Sequence, residues 1–307
     1  MLIEFHRTIL ADRLRNEAFH EALRRVIVPG QTTVADVGSG TGLLGFMAAR
    51  LGAKRVYLYE HGDVLALSKT LARRNHIRRC VFIPEHSTHV IDPEPVDVVV
   101  SETLGNFAYE EHLLETMRDA RRFLRSGGTV IPQRVRQYLA PVTSDRVHRE
   151  LTVWSEVGYD FDLEPAARMS LNNLYVRSFL PSDLSALPAQ CCDEADLRRA
   201  NRSRREGRAS WRCEGTETVY GFALWWECEL VPGIELSTSP HAARTHWEQL
   251  YLPLLEPVST QGGDELTIKL RSDTSLQAGM SMRWRVRHER AGRTREQALD
   301  IRKGYLG

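Results

Sequence analysis

The residues with the most chemical potential lie at 101–112, Ser-Glu-Thr-Leu-Gly-Asn-Phe-Ala-Tyr-Glu-Glu-His, directly after an apolar run that reads as a strand at Val96–Val100. In an open α/β sheet, ligands gather at the carboxyl ends of the strands, so Glu102 is expected at a binding edge. Glu111 follows nine residues later at the expected start of a helix, and a loop bent at Gly105 can fold it back to face Glu102. Two carboxylates that close repel each other unless a cation sits between them. A guanidinium suits the place, since it is planar, delocalised and able to give parallel N–H bonds to both. A metal is the other candidate, but the nearest imidazole, His112, points elsewhere on a helix from Glu111, so no metal is expected. The plainer reading of Glu111 is a helix N-terminal acid facing the macrodipole.

The second cluster is a glycine turn at 34–42, where Asp36 precedes Gly38, Gly40 and Gly42. A strand leads into it and a helix leaves it, so backbone N–H groups converge on whatever sits there. Gly38, Gly40 and Gly42 give the GxGxG turn of methyltransferases, and Gly40, Gly42 and Gly45 also satisfy the GxGxxG dinucleotide fingerprint. Asp36 discriminates. A carboxylate there faces the ammonium of a methionine moiety but repels a pyrophosphate, which favours S-adenosyl-L-methionine over NAD. Glu60 ends the next strand, 20 residues after Gly40, where it can accept hydrogen bonds from both ribose hydroxyls; its plainer reading is a solvated strand-end charge.

Positioning these groups requires a sheet. Apolar residues recur at helical spacing over 7–28, predicting one amphipathic leading helix closed by Pro29-Gly30. Strands at 33–37, 55–59, 80–83, 96–100 and 129–131 then alternate with helices at 43–51, 64–75 and 111–124, the pattern of a parallel sheet with both faces covered. After Pro132 the texture becomes β-rich with few helices, predicting an antiparallel second domain. The expected division is 1–133 for the cofactor domain and 134–307 for the β domain, with an unassigned stretch within 154–212. The 307 residues are 42% hydrophobic and 26% charged, with a formal net charge of +1. That composition fits a folded globular chain and gives no global field for nucleic acid. Five cysteines without CxxC spacing point to a reducing compartment, and no signal peptide or membrane span is evident, so a cytoplasmic protein is expected.

With the glycine turn, Glu60 and the paired glutamates in place, the sequence resembles the protein arginine methyltransferase family over nearly its whole length. The stretch 6–15, His-Arg-Thr-Ile-Leu-Ala-Asp-Arg-Leu-Arg, looks like the family's helix before the sheet, and Thr245-His-Trp-Glu-Gln249 is similar to its barrel signature. The resemblance implies a Rossmann-like class I methyltransferase domain followed by an antiparallel β-barrel with a helical dimerisation arm at about 155–212, hence a homodimer. By position, Arg15 would bind the cofactor carboxylate, with Asp36 and the glycine turn holding the methionine part, Glu60 the ribose, and His6 flanking the same pocket. Glu102 and Glu111 would clamp the substrate guanidinium, and His246 would pair with Asp12 across the domains. Three departures stand out. The family's short closing helix before the first His is represented only by Phe5, so that lid is expected to be missing or supplied from elsewhere. Ser87 or Thr88 stands where many members place a Glu on the adenine amine. Thr103 replaces a large aromatic, and Asn106 follows Gly105, so the acceptor pocket has different walls.

The implied activity is N-methylation of a guanidino group, on arginine in a protein or peptide. Methylation of free arginine or another small guanidine or amine is the alternative, and a catalytically silent cofactor-binding relative the third reading. The basic run at 197–208 reads as a solvated loop or helix face, or else as a grip on an acidic partner.

Overall fold

The computed structural model describes residues 3–304. Two helices, α1 (Ile3–Ala11) and α2 (Arg13–Val26), precede β1 (Thr33–Val37), α3 (Leu43–Arg50), β2 (Arg55–Tyr59), α4 (Val64–Arg74), β3 (Cys80–Ile83), β4 (Val96–Val100), α5 (Leu113–Ala120) and β5 (Leu124–Ile131). The five strands form one parallel sheet in the order β3-β2-β1-β4-β5. All five residues of β1 are buried, Thr33 and Asp36 included, as in a strand covered on both faces. The chain reverses its direction of travel across the sheet between β1 and β4. The ends of those two strands therefore open on a crevice, which puts Asp36 and Glu102 beside each other in space.

The single leading helix expected over 7–28 is two. Asp12 adopts an extended conformation between them, and its Oδ1 accepts the Arg15 N–H at 3.0 Å, capping α2. The apolar spacing continues across the break, which is why periodicity alone hid it. Likewise the helix expected from Glu111 starts only at Leu113, because His112 sits in the left-handed region at φ 59°. The fifth strand begins at Leu124, five residues ahead of the expected 129.

The rest of the chain builds β6 (Arg134–Val142), α6 (Arg146–Leu151), α7 (Glu164–Leu171), β7 (Tyr175–Arg177), β8 (Gln190–Asp196), β9 (Arg204–Arg212), β10 (Glu217–Val231), β11 (Ile234–Ser237), β12 (Gln249–Thr260), β13 (Glu265–Asp273), β14 (Ser281–Arg290) and β15 (Arg293–Asp300). Two antiparallel sheets result, one ordered β7-β12-β10-β6-β8 with β11 beside β10, the other β15-β14-β13-β9. Their inner faces meet in a core continuous with that of the parallel domain, which makes the whole an α/β sheet domain joined to a β-barrel. Strand β14 shows the alternation plainly: Met282, Trp284 and Val286 are buried, and Arg283, Arg285 and Arg287 are exposed.

The helical insertion begins ahead of the 155–212 expected, with α6 at Arg146–Leu151, and ends with α7, while β7, β8 and β9 within that range are strands. The basic run at 197–208 is accordingly a turn and the start of β9, with Arg198 on Asp196 at 2.8 Å and Arg204 on Asp273 at 2.8 Å. Its arginines masked a period-2 strand whose inward residues, Ala209 and Trp211, come late. Among the described residues, no helix is long and apolar enough to cross a membrane.

Trp284 locks the barrel, being 1% exposed with its indole N–H donated to the Pro253 carbonyl at 3.0 Å. Trp284→Ala is expected to lower unfolding free energy by about 3–5 kcal/mol, measured by denaturant titration of the intact chain.

Candidate active site

A cavity of about 660 Å³ lies where the carboxyl ends of β1 and β4 face the barrel. Its floor is the glycine turn. Gly38 and Gly40 have φ of 73° and 52°, a region that favours glycine, and a Cβ on Gly40 would come 3.3 Å from the His6 ring. Gly42, also expected to hold cofactor, is set back from the cavity. It caps α3 at φ 89°, and a side chain there would overlap Phe46 and Ser68.

Asp36 is 1% exposed and its Oδ2 accepts the Gly45 N–H at 2.8 Å. Burial pushes its carboxyl up to about 7, and the Glu60 and Glu102 charges act in the same direction against the Gly45 bond and Arg15. A cationic group bound beside it would restore its charge. Glu60 folds back on the turn, accepting N–H bonds from Gly40 at 2.9 Å and Gly62 at 2.7 Å; a carboxylate has lone pairs left for two hydroxyls. Ser87 is buried and Thr88 exposed on a short 3-10 turn at the cavity edge, fixed from behind by Arg122 on the Ser87 and Val90 carbonyls.

Helix α1 forms the opposite wall through Phe5, His6, Ile9 and Leu10, so the described residues do place a helix over this cavity. His6 is 8% exposed and its Nε2 has no partner among the described residues, and neither has the Ser39 hydroxyl. Burial lowers the His6 pKa, with Glu60 opposing. Orphaned polar atoms in a cavity over a glycine cradle are what a polar, adenosine-sized ligand would satisfy.

Arg15, expected at the cofactor carboxylate, lines the cavity and also makes a contact with Glu102. Its Nε and Nη2 both donate to Glu102 Oε2, the first at 2.7 Å, and both side chains are 6% exposed. Arg15 thus pins Glu102, a role that helical spacing could not show. Glu111 lies on the same cavity with no ion-pair partner among the described residues. Burial, then the charges of Glu102 and Glu110, push its carboxyl up to about 7. His246 also lines the cavity, whereas Asp12 stands behind it, accepting from the His246 backbone N–H at 2.8 Å and bonding its Nδ1 at 2.7 Å. Burial opposes ionisation of Asp12, but the N–H bonds from Arg15 and His246 outweigh it and hold the carboxyl below its usual range.

The barrel grips the acidic loop through Trp247 and Glu248 of the 245–249 stretch, through Arg205 of the basic run, and through Trp226 and Asp193, which the sequence did not single out. Trp247 donates its indole N–H to the Leu104 carbonyl at 2.7 Å, and Trp226 does so to Gly105 at 2.9 Å. The Glu248 N–H reaches Asn106 Oδ1 at 2.8 Å. Tyr109 donates to Asp193, which also takes Arg205.

Comparison with known proteins agrees with this fold. The family model of the arginine methyltransferase oligomerization subdomain matches residues 133–289, half of the chain. The chain belongs to the protein arginine methyltransferase family. The model of the ribosomal protein L11 methyltransferase (PrmA) matches 20–134, most of the sheet domain. The chain is 30% identical to protein arginine N-methyltransferase 6 of Xenopus tropicalis, covering 86% of this chain and 82% of that one. It is 31% identical to the arginine N(omega)-methyltransferase of Streptomyces achromogenes, covering 90% and 78%. In fold it is similar to the Trypanosoma brucei PRMT1 enzyme-prozyme complex, with a TM-score of 0.87 at 20% identity over 97% and 98% of the two chains. It is also similar to protein arginine methyltransferase 10 of Arabidopsis thaliana, with a TM-score of 0.83 at 22% identity over 98% of both. Thr103 Cγ2 stands 3.3 Å from where a Cβ on Gly38 would be.

Trp247→Phe keeps a ring in place but strands the Leu104 carbonyl. It is expected to cost about 1–3 kcal/mol of stability and to lower turnover while leaving cofactor affinity near that of the unaltered protein, as read by calorimetry and steady-state kinetics.

Proposed function

We propose that this protein transfers a methyl group from S-adenosyl-L-methionine to a guanidino nitrogen of arginine in a protein or peptide. The observation that carries the reading is the unequal pair of carboxylates. Glu102 is fixed and neutralised by Arg15, while Glu111 faces the same cavity without a counter-ion, so this pair of carboxylates is short of one cation. The cradle fits the methyl donor. Asp36 would hold its ammonium, Glu60 the ribose, and His6 Nε2 and Ser39 would find partners they otherwise lack. When bound, S-adenosyl-L-methionine supplies an electrophilic methyl group on a sulfonium.

Positioning does most of the remaining work. A guanidinium, with a pKa above ~12, has no free lone pair. Glu102 and Glu111 draw its charge onto the nitrogens they bind, leaving the third more nucleophilic. The released proton goes to Glu111 or to His246. With Asp12 ionised, Nδ1 of His246 carries the proton and its Nε2 is left as acceptor.

Free arginine is the second reading, favoured by the Streptomyces relative, whose name specifies arginine alone. Parallel assays with arginine-rich peptides and free arginine decide between them. We also propose a homodimer formed through the α6–α7 insertion. Tyr159 and Phe161 there are 85% and 72% exposed, large apolar areas that a partner would cover. The free cysteines support a cytoplasmic setting.

Glu111→Gln should reduce methyl transfer by on the order of 10³-fold with cofactor binding retained; near-normal turnover would refute the paired-carboxylate mechanism. Because only ionised Glu111 attracts the guanidinium, kcat/KM should rise with pH through about 7 and level off above it. Changing Tyr159 and Phe161 together to Asp is expected to give a monomer by light scattering, and an unchanged mass would exclude this interface.

A further inference from the structure

Glu110 is a half-buried carboxylate that the mechanism leaves unused. Its Oε1 accepts the Asn106 N–H at 2.7 Å, its own N–H donates to the Phe107 carbonyl at 2.9 Å, and it makes no ion pair among the described residues. The side chain lies so close over Gly105 that a Cβ there would occupy its space. The loop is thus closed from inside by Glu110 and from outside by Trp226 on the Gly105 carbonyl and Glu248 on the Asn106 side chain. The next residue is Glu111.

Other charges around Glu111 are mostly spoken for. Glu102 is paired with Arg15, His246 with Asp12, and the His112 ring is bonded to the Thr274 carbonyl at 2.8 Å. Glu115 is tied to the Ser203 hydroxyl from α5. Burial pushes the Glu110 carboxyl up too, with the N–H bonds from Asn106 and Phe107 opposing; when ionised, it stands beside Glu111 with no cation to offset it, and like charges so placed favour protonation of Glu111.

Building on the proposed methyl transfer, we propose that Glu110 is a positioning residue: its carboxylate closes the turn that aims Glu111, and its unneutralised charge makes Glu111 a better proton acceptor. The two parts separate by substitution. Glu110→Gln keeps an oxygen for the Asn106 N–H but removes the charge, whereas Glu110→Ala removes both.

The charge effect is read without substrate, by carboxyl ¹³C NMR of protein labelled at glutamate Cδ, the Glu111 resonance being assigned by its loss in Glu111→Gln. Its midpoint is expected to fall by roughly one pH unit in Glu110→Gln. Positioning is read by kinetics, where Glu110→Ala should lose up to about 10²-fold in kcat with S-adenosylhomocysteine affinity unchanged, and Glu110→Gln should recover most of it. An unmoved Glu111 midpoint in Glu110→Gln, or an alanine variant with unaltered kcat, would overturn the proposal. A protein with no activity on any guanidine would instead sink the proposed function, and the titration would still decide the electrostatic role of Glu110.

Discussion

Everything at this site follows from keeping two acidic side chains together in a cavity that excludes much of the water. Each isolated carboxylate loses hydration there, and each raises the cost of ionising the other. The fold resolves half of the conflict with a permanent cation, Arg15 on Glu102. It leaves Glu111 unresolved, so this pair of carboxylates retains an attraction for a cation. A second permanent ion pair would have given a more comfortable structure and a poorer binding site.

That arrangement demands rigidity, since a flexible loop would swing Glu111 into solvent. The barrel supplies it. Two indole N–H groups and one backbone N–H from β10 and the segment before β12 take hold of Leu104, Gly105 and Asn106, and the core runs unbroken between the domains behind them. The Asp12–His246 contact does the same at the helix break between α1 and α2, so that one carboxylate caps a helix, ties the domains together and orients an imidazole. The two-domain interface is therefore part of the site.

Much of this was legible in the sequence, for reasons particular to each stretch. The parallel sheet was readable because strands buried on both faces are mostly apolar, as Thr33–Val37 and Val96–Val100 are apart from Thr33, Asp36 and Asp97. The glycine turn was readable because positive φ restricts the residue type. Breaks between helices were not, since the apolar period runs through Asp12 undisturbed, and β9 was hidden by arginines on its solvent face. Arg15 illustrates the limit well: its place on the helix gave no sign of its ion pair with Glu102, a residue 87 positions away.

The sequence by itself determined the kinds of chemistry available: a glycine cradle with an acid before it, an acid after the second strand, and two glutamates spaced to fold back on one another. These depend on residue type and short spacing, which local backbone rules translate into geometry. Only the tertiary structure decided which glutamate is neutralised and which stays open, because that rests on a guanidinium arriving from α2 and on burial contributed by a second domain. Ionisation is set by everything within a few ångströms, and nearness in space between residues far apart in the chain is what the fold alone creates.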